Sequence, residues 1–303
     1  MSTDNYYIAI IFVIIISPLI GSFLNVVIYR LPLMLEAMWR DECIEFIKED
    51  PIIQKELNIS NIKDIKQDNN KKHTSLNLAY PASFCPSCKT NIKFYDNIPI
   101  FSYLFLKGKC RACKTKIPFI YFFIEIITLC LSLIIVLKFG FSYKTLAALV
   151  LTWILIAASV IDYKHYILPD NLTIPTLWLG LIINLNNTFI SIHLAVLSAC
   201  IGYLLFWSIA KAYTLSTKKE GIGYGDFKLY ALFGAWIGLF MLPQIIIISS
   251  FLAIFSALMA KLIFNRSLLS NPIPYGPFIA IAGYIALIYG DNINNWYLNF
   301  FVF

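Results

Sequence analysis

Charge is what this sequence has least of. Asp, Glu, Lys and Arg make up 14% of its 303 residues, against about 25% in soluble domains. Apolar residues account for 59%, and the mean hydropathy is +0.73. That balance excludes an ordinary soluble domain and reads as an all-α polytopic membrane protein. A basic leader is missing too: residues 1–7 carry Asp4 and no Lys or Arg, so no removable signal peptide is expected. No strand pattern precedes the one Gly-x-Gly run, which excludes a dinucleotide fingerprint. No inverted repeat of the kind a transporter would favour is visible. The net charge of +7 is not a nucleic-acid signal, because the basic residues lie in loops between apolar runs.

What is present is a series of such runs, at residues 8–28, 119–137, 145–161, 172–185, 194–210, 229–242, 245–264 and 273–289. Each is read as a transmembrane helix, the shorter ones borrowing flanking residues to reach the ~20 that a bilayer core requires. About eight spans result. The domain reading is a first helix with its motif (1–32), one large polar insert (33–118) and a seven-helix membrane domain (119–303). Alternating charges from Glu36 to Lys72 suggest amphipathic helix and loop in the insert, with residues 68–72 as an exposed connection. If the insert is cytoplasmic, all but Lys138 and Lys144 of the 24 Lys and Arg fall inside. The positive-inside rule demands that asymmetry. It puts both termini outside and Asp162, Asp170 and Asp226 at the cytoplasmic edge.

The seven cysteines do not form an oxidised framework. Cys130 and Cys200 lie in apolar runs and Cys43 stands alone. The other four form Cys85-Pro86-Ser87-Cys88 and Cys110-Arg111-Ala112-Cys113. Two thiolates from each pair complete a closed tetrahedral site, the arrangement of structural zinc. The stretch between the pairs is slightly longer than in the commonest ribbons. Lys89, Lys109, Arg111 and Lys114 favour the thiolate form. Free thiols or disulfides are the alternative.

Acids beside membrane spans are costly to ionise and are functional suspects. Asp226 ends the glycine-dense turn Glu220-Gly221-Ile222-Gly223-Tyr224-Gly225-Asp226. Asp162 lies in Ile161-Asp162-Tyr163-Lys164-His165-Tyr166-Ile167-Leu168-Pro169-Asp170. Two carboxyl groups held close cannot both ionise, so one serves as base toward water and the other as acid toward a scissile carbonyl. The glycines are expected to let backbone approach a substrate strand and adopt angles denied to other residues. The plain alternative is an interfacial charge paired with a lysine, which suits Asp170, read as a helix N-cap after Pro169.

Gly223-Tyr224-Gly225-Asp226 resembles the GxGD signature of intramembrane-type aspartyl proteases. Together with the Asp162 segment it resembles the bacterial type IV prepilin peptidases, and the likeness covers nearly the whole chain. Gly21-Ser22-Phe23-Leu24-Asn25-Val26-Val27-Ile28-Tyr29-Arg30-Leu31-Pro32 is similar to that family's opening segment, and Tyr95-Asp96-Asn97-Ile98-Pro99 to its cytoplasmic one. The resemblance implies a catalytic pair at Asp162 and Asp226, with Asp170 outside it. It implies zinc on Cys85, Cys88, Cys110 and Cys113. It further implies a bacterial inner-membrane enzyme that cuts the leader from prepilins or pseudopilins of type IV pilus or type II secretion systems. The substrate's apolar helix would enter from the lipid bilayer. The family is bifunctional, methylating the new N-terminus with S-adenosylmethionine. By resemblance the insert is implicated in that step, with Gly108 and Lys109 as candidate contributors; their plain reading is a turn glycine and a solvated charge.

Other polar residues need partners. Glu125, inside the second span, calls for Arg30, Lys116 or a backbone donor. Asn25 needs one if buried, while Gly21 and Ser22 read as packing residues. His165 reads as interfacial. Pro274-Tyr275-Gly276-Pro277-Phe278 breaks the last span beside the expected dyad, as a substrate-pairing segment or a plain kink. Two rival functions remain open. A transporter binding cations or relaying protons through its acids would favour mid-span acids and a repeat. A zinc-stabilised scaffold leaves the glycine run unexplained.

Overall fold

The computed structural model describes residues 3–50, 77–218, 223–264 and 273–301. Its helices are α1 (Thr3–Glu49), α2 (Phe101–Phe105), α3 (Phe119–Phe139), α4 (Tyr143–His165), α5 (Asp170–Asn184), α6 (Ile192–Thr217), α7 (Tyr224–Ile237), α8 (Leu242–Phe264) and α9 (Gly276–Phe301). Short 3-10 turns cover Phe94–Asn97 and Leu239–Met241. Among the described residues there is no strand beyond two isolated bridges in the cysteine module. The all-helical membrane class therefore stands. Residues 68–72, Lys219, Glu220, Gly221 and Arg266, which entered the sequence reading, lie outside the described residues.

Among the described residues, six helices are long and apolar enough to cross a bilayer: α1, α3, α4, α6, α8 and α9. The runs at 172–185 and 229–242 form shorter helices, α5 with 15 residues and α7 with 14. At 1.5 Å per residue these span about 22 and 21 Å, against ~30 Å of hydrocarbon. Their ends are built rather than frayed. Gly238 stops α7 at φ 88°, which a side-chain-bearing residue adopts only under strain. The Asn184 amide donates to the carbonyls of Ala235 (2.8 Å) and Trp236 (3.1 Å), and its Oδ1 accepts from the amides of Phe189 (3.0 Å) and Ile190 (3.3 Å). One buried side chain thus satisfies the orphan carbonyls of α7 and the turn after α5.

The described chain packs as two compact units, Pro18–Ile126 and Met1–Ser17 with Ile127–Phe303. In the first, α1 runs on past Pro32 to Glu49, so helix extends into the segment read as insert. Buried Arg30 donates to the carbonyls of Asn77 (2.9 Å), Leu78 (3.3 Å) and Pro81 (2.6 Å). The Asn25 amide donates to the Tyr121 carbonyl at 3.0 Å. Of the partners considered for Glu125, the backbone donor is the one found: its carboxylate accepts the Ile100 N–H at 2.7 Å.

The second unit is organised around α7. Phe227, Leu229, Tyr230, Leu232, Phe233 and Trp236 are each at most 1% exposed. A helix apolar all round needs a complete jacket, and α5, α6, α8 and α9 supply it. Backbones meet against α6, where a Cβ on Gly234 of α7 would lie 2.3 Å from the Ser198 carbonyl oxygen and one on Gly202 of α6 would lie 2.9 Å from the Tyr230 carbonyl oxygen. Small residues permit that backbone contact. Trp236 Nε1 donates to the Thr176 carbonyl at 2.9 Å, tying α7 to α5.

Candidate functional site

The membrane unit gathers four helix ends at one place. Helix α4 terminates because Tyr166 turns left-handed (φ 57°) and returns its amide to the Asp162 carbonyl at 2.8 Å. Asp162 therefore sits in the last helical turn, 6% exposed. Pro169 then occupies the N-cap of α5, which moves Asp170 from the expected cap into the first turn. Gly223 is the N-cap of α7, and Asp226 lies in that helix's first turn, 9% exposed.

The Asp162 carboxylate is anchored from the far end of the chain: its Oδ2 accepts the Gly276 N–H at 3.0 Å, at the start of α9. A backbone amide of Gly223 hydrogen-bonds the Asp226 carboxylate, and the two carboxyl groups are near enough to interact electrostatically. Leu168 lies between the segments. A Cβ on Gly225 would fall 2.8 Å from the Leu168 Cβ, and one on Gly276 would fall 3.2 Å from its Cδ1 and 2.7 Å from Asp162 Oδ2. Gly225 and Gly276 matter for closeness, whereas a Cβ on Gly223 would have ordinary room, 3.7 Å from Asp226 Oδ2. Gly223 has φ −71°, and Gly225 is not among the positive-φ residues. For Gly223 and Gly225 this corrects the expectation of angles denied to other residues; Gly221 lies outside the described residues.

Asp170 takes the lysine partner foreseen for an interfacial acid, pairing with Lys228 Nζ at 2.6 Å. That ion pair fastens the start of α5 to the first turns of α7. His165 ends α4 on the surface. The Pro274–Phe278 break proves more than a kink, since Gly276 within it holds Asp162. The residue before it joins a hydroxyl cluster that the sequence reading missed. Tyr275 OH lies 2.8 Å from Ser249 Oγ, 3.2 Å from Ser250 Oγ and 3.5 Å from Tyr230 OH. Tyr230 follows Asp226 by four residues, one helical turn. The cluster links α7, α8 and the Gly276 segment beneath the two carboxylates.

The cysteine module is built as two similar knuckles. In each, the amide of the first Cys donates to a threonine carbonyl (Cys85 to Thr90, 3.0 Å; Cys110 to Thr115, 2.9 Å). A lysine amide returns to the first Cys (Lys89 to Cys85, 2.8 Å; Lys114 to Cys110, 3.0 Å). Both lysines are left-handed, at φ 59° and 58°. The signal was in the chain all along: Cys-x-x-Cys-Lys-Thr occurs at 85–90 and again at 110–115. The four Sγ atoms all lie within 4.8 Å of one another, and Cys85 and Cys113 are 3.8 Å apart. Tetrahedral thiolates at ~2.3 Å from zinc stand about 3.8 Å apart, so the donor set fits that metal. Hydrogen bonding to Thr115 lowers the Cys113 thiol to about 6, and the backbone amides of Cys88 and Ser87 lower Cys85. Both shifts favour the ligating thiolate.

Gly108 and Lys109 precede the second knuckle. Gly108 has φ +65°, its amide donates to the Tyr103 carbonyl (2.9 Å), and its own carbonyl accepts from Ile117 (2.8 Å). A Cβ there would lie 2.9 Å from the Tyr103 hydroxyl. Turn and packing both constrain this glycine, whose N–H is engaged and whose carbonyl accepts one hydrogen bond. Lys109 is exposed.

A family model for the Bacterial Peptidase A24 N-terminal domain matches residues 15–139, and one for the Type IV leader peptidase family matches residues 149–258. The chain is 43% identical to a prepilin leader peptidase/N-methyltransferase of Aeromonas hydrophila over 290 residues, covering 96% of this chain and 94% of that protein. It is 43% identical over 288 residues to one from Pseudomonas aeruginosa (95% and 92% covered), and 40% identical over 284 to one from Legionella pneumophila (93% and 92%). No solved structure matches.

Proposed function

Because the chain belongs to the type IV leader peptidase family, we infer that it is a membrane aspartyl endopeptidase that removes the leader of prepilins and N-methylates the new terminus. The observation that carries the catalytic assignment is the convergence of Asp162 and Asp226. Two buried carboxyl groups interact electrostatically there, each held by a backbone amide. With one protonated and one ionised, the pair can take a proton from water and polarise a peptide carbonyl without a metal or nucleophile. Gly276 and Gly223 orient the oxygens. Lys228 neutralises Asp170 nearby, so that a third negative charge does not bear on the pair.

The substrate is a prepilin or pseudopilin whose apolar helix lies in the bilayer and whose basic leader stays in the cytoplasm. The site then belongs at the cytoplasmic edge of the inner membrane, with both termini on the other side. Asp162→Asn and Asp226→Asn are each expected to abolish leader cleavage with protein levels unchanged, read from the substrate's N-terminal mass. A single variant that still cleaves would sink the dyad.

Cys85, Cys88, Cys110 and Cys113 would hold zinc, which cross-links the two knuckles. S-adenosylmethionine would supply an electrophilic methyl group, with Gly108 and Lys109 as the insert's candidate contributors to its transfer; Gly108 sets the turn that presents Lys109. Lys109→Ala is expected to lower methylation of a pre-cleaved pilin while leaving cleavage intact; unchanged methylation removes Lys109 from the transferase.

A further inference from the structure

The cysteine module carries an aromatic face that its own fold leaves uncovered. On α2, Phe101 and Phe105 stand one turn apart, 62% and 82% exposed, with Leu104 between them at 57%. Phe94, on the preceding turn, is 86% exposed. A cluster of large apolar side chains on a polar module marks an interaction surface. Two further observations say what covers it.

The first is charge. Lys89, Lys93, Lys107, Lys109, Lys114 and Lys116 are all exposed. Asp96 is the one acid in residues 77–118, and it is engaged by Arg111 at 2.6 Å. Aromatic residues interleaved with unopposed lysines suit an anionic lipid surface, where rings enter the headgroup layer and ammonium groups meet phosphates.

The second is position. Tyr103 of α2 stacks on Phe122 with centroids 4.7 Å apart and meets Phe119 edge-on at 6.4 Å. Those two rings belong to the first turn of α3, a bilayer-crossing helix, whose Phe119 and Phe123 are themselves exposed. Helix α2 thus lies alongside the mouth of a span, and its phenylalanines continue the aromatic edge that the span turns toward lipid.

We propose that the α2 face, with Phe94 and the surrounding lysines, is a docking surface for the anionic headgroup layer of the bilayer. It holds the cysteine module down on the membrane beside α3. The inference goes beyond the peptidase reading and does not depend on it.

The test incorporates photoreactive benzoylphenylalanine at Phe105, or in a second variant at Phe94, of the full-length protein. The protein is reconstituted in vesicles of phosphatidylcholine alone or mixed with phosphatidylglycerol. The same label at Phe123, inside the span, is the positive control. Lipid adducts are expected at 105 and 94, enriched several-fold by phosphatidylglycerol. Lys107→Glu with Lys114→Glu should abolish that enrichment, because each lysine near an anionic surface is worth on the order of fivefold. The proposal is overturned if position 123 labels lipid while 105 and 94 do not, or if they label only protein, whether a pilin or a second copy. Lipid labelling indifferent to headgroup charge overturns it as well.

Discussion

Gly276 is the residue on which the dyad's geometry turns. Its amide holds Asp162, and the space where its side chain would be is taken by the carboxylate it serves, 2.7 Å from the would-be Cβ. Gly276→Ala is therefore expected to push Asp162 aside. A displacement near 1 Å costs about 10²-fold in rate, which a cleavage assay at fixed protein level would read. Wild-type activity in that variant would show that the tight fit of Gly276 against the carboxylate is not what positions Asp162. The two acids were legible as candidates in the chain, because Gly223-Tyr224-Gly225-Asp226 is a local motif and local motifs are written in consecutive residues. Gly276 was not: it meets Asp162 across 114 residues, and nothing in the order of letters announces a long-range hydrogen bond. The same holds for Tyr275 and Tyr230, whose pairing belongs to the packed helices. Glu125 shows the intermediate case, where burial predicted that a partner must exist but not that Ile100 would supply it.

At the scale of elements, the cysteine module and α7 teach opposite lessons. The knuckles fold from short-range rules, so the repeated Cys-x-x-Cys-Lys-Thr fixes both amide-to-carbonyl pairs, and the metal reading follows from spacing. Serine at any one of Cys85, Cys88, Cys110 or Cys113 is expected to drop bound zinc from about one equivalent to near none and to lower the thermal midpoint. Elemental analysis of the purified protein checks the first. A zinc-free wild type would reject the ribbon. For α7, hydropathy located the segment but not its length. The apolar run at 229–242 continues through Gly238, where the backbone turns and the 3-10 segment Leu239–Met241 begins. The helix had already begun at Tyr224, before the run. Polar Asp226 and Lys228 therefore fall inside the helix, where the fold gives each a partner.

For the membrane unit as a whole, the helix ends decide the topology better than helix lengths do. The end of α4 and the starts of α5, α7 and α9 converge on the Asp162–Asp226 pair, as the Gly225–Leu168 approach and the Lys228–Asp170 ion pair require. Helix α5 leaves that convergence, and α6 must return the chain to it before α7 begins. Helix α6 has the length and hydropathy to cross. If α5 did not cross as well, the start of α7 would lie on the opposite face of the membrane from Asp162, and the pair could not meet. The same reasoning couples α7 to α8. Short helices can still traverse when their irregular ends are buried in protein, and Asn184 caps those ends here. Eight crossings are thus expected, with the loops at Gly140 and Asn187 outside and those at Leu168 and Lys218 inside. Reporter fusions at these four positions distinguish the readings. A reporter after Lys218 that is active only on the outer face would leave six crossings, separate the two carboxylates by the bilayer, and remove the protease site.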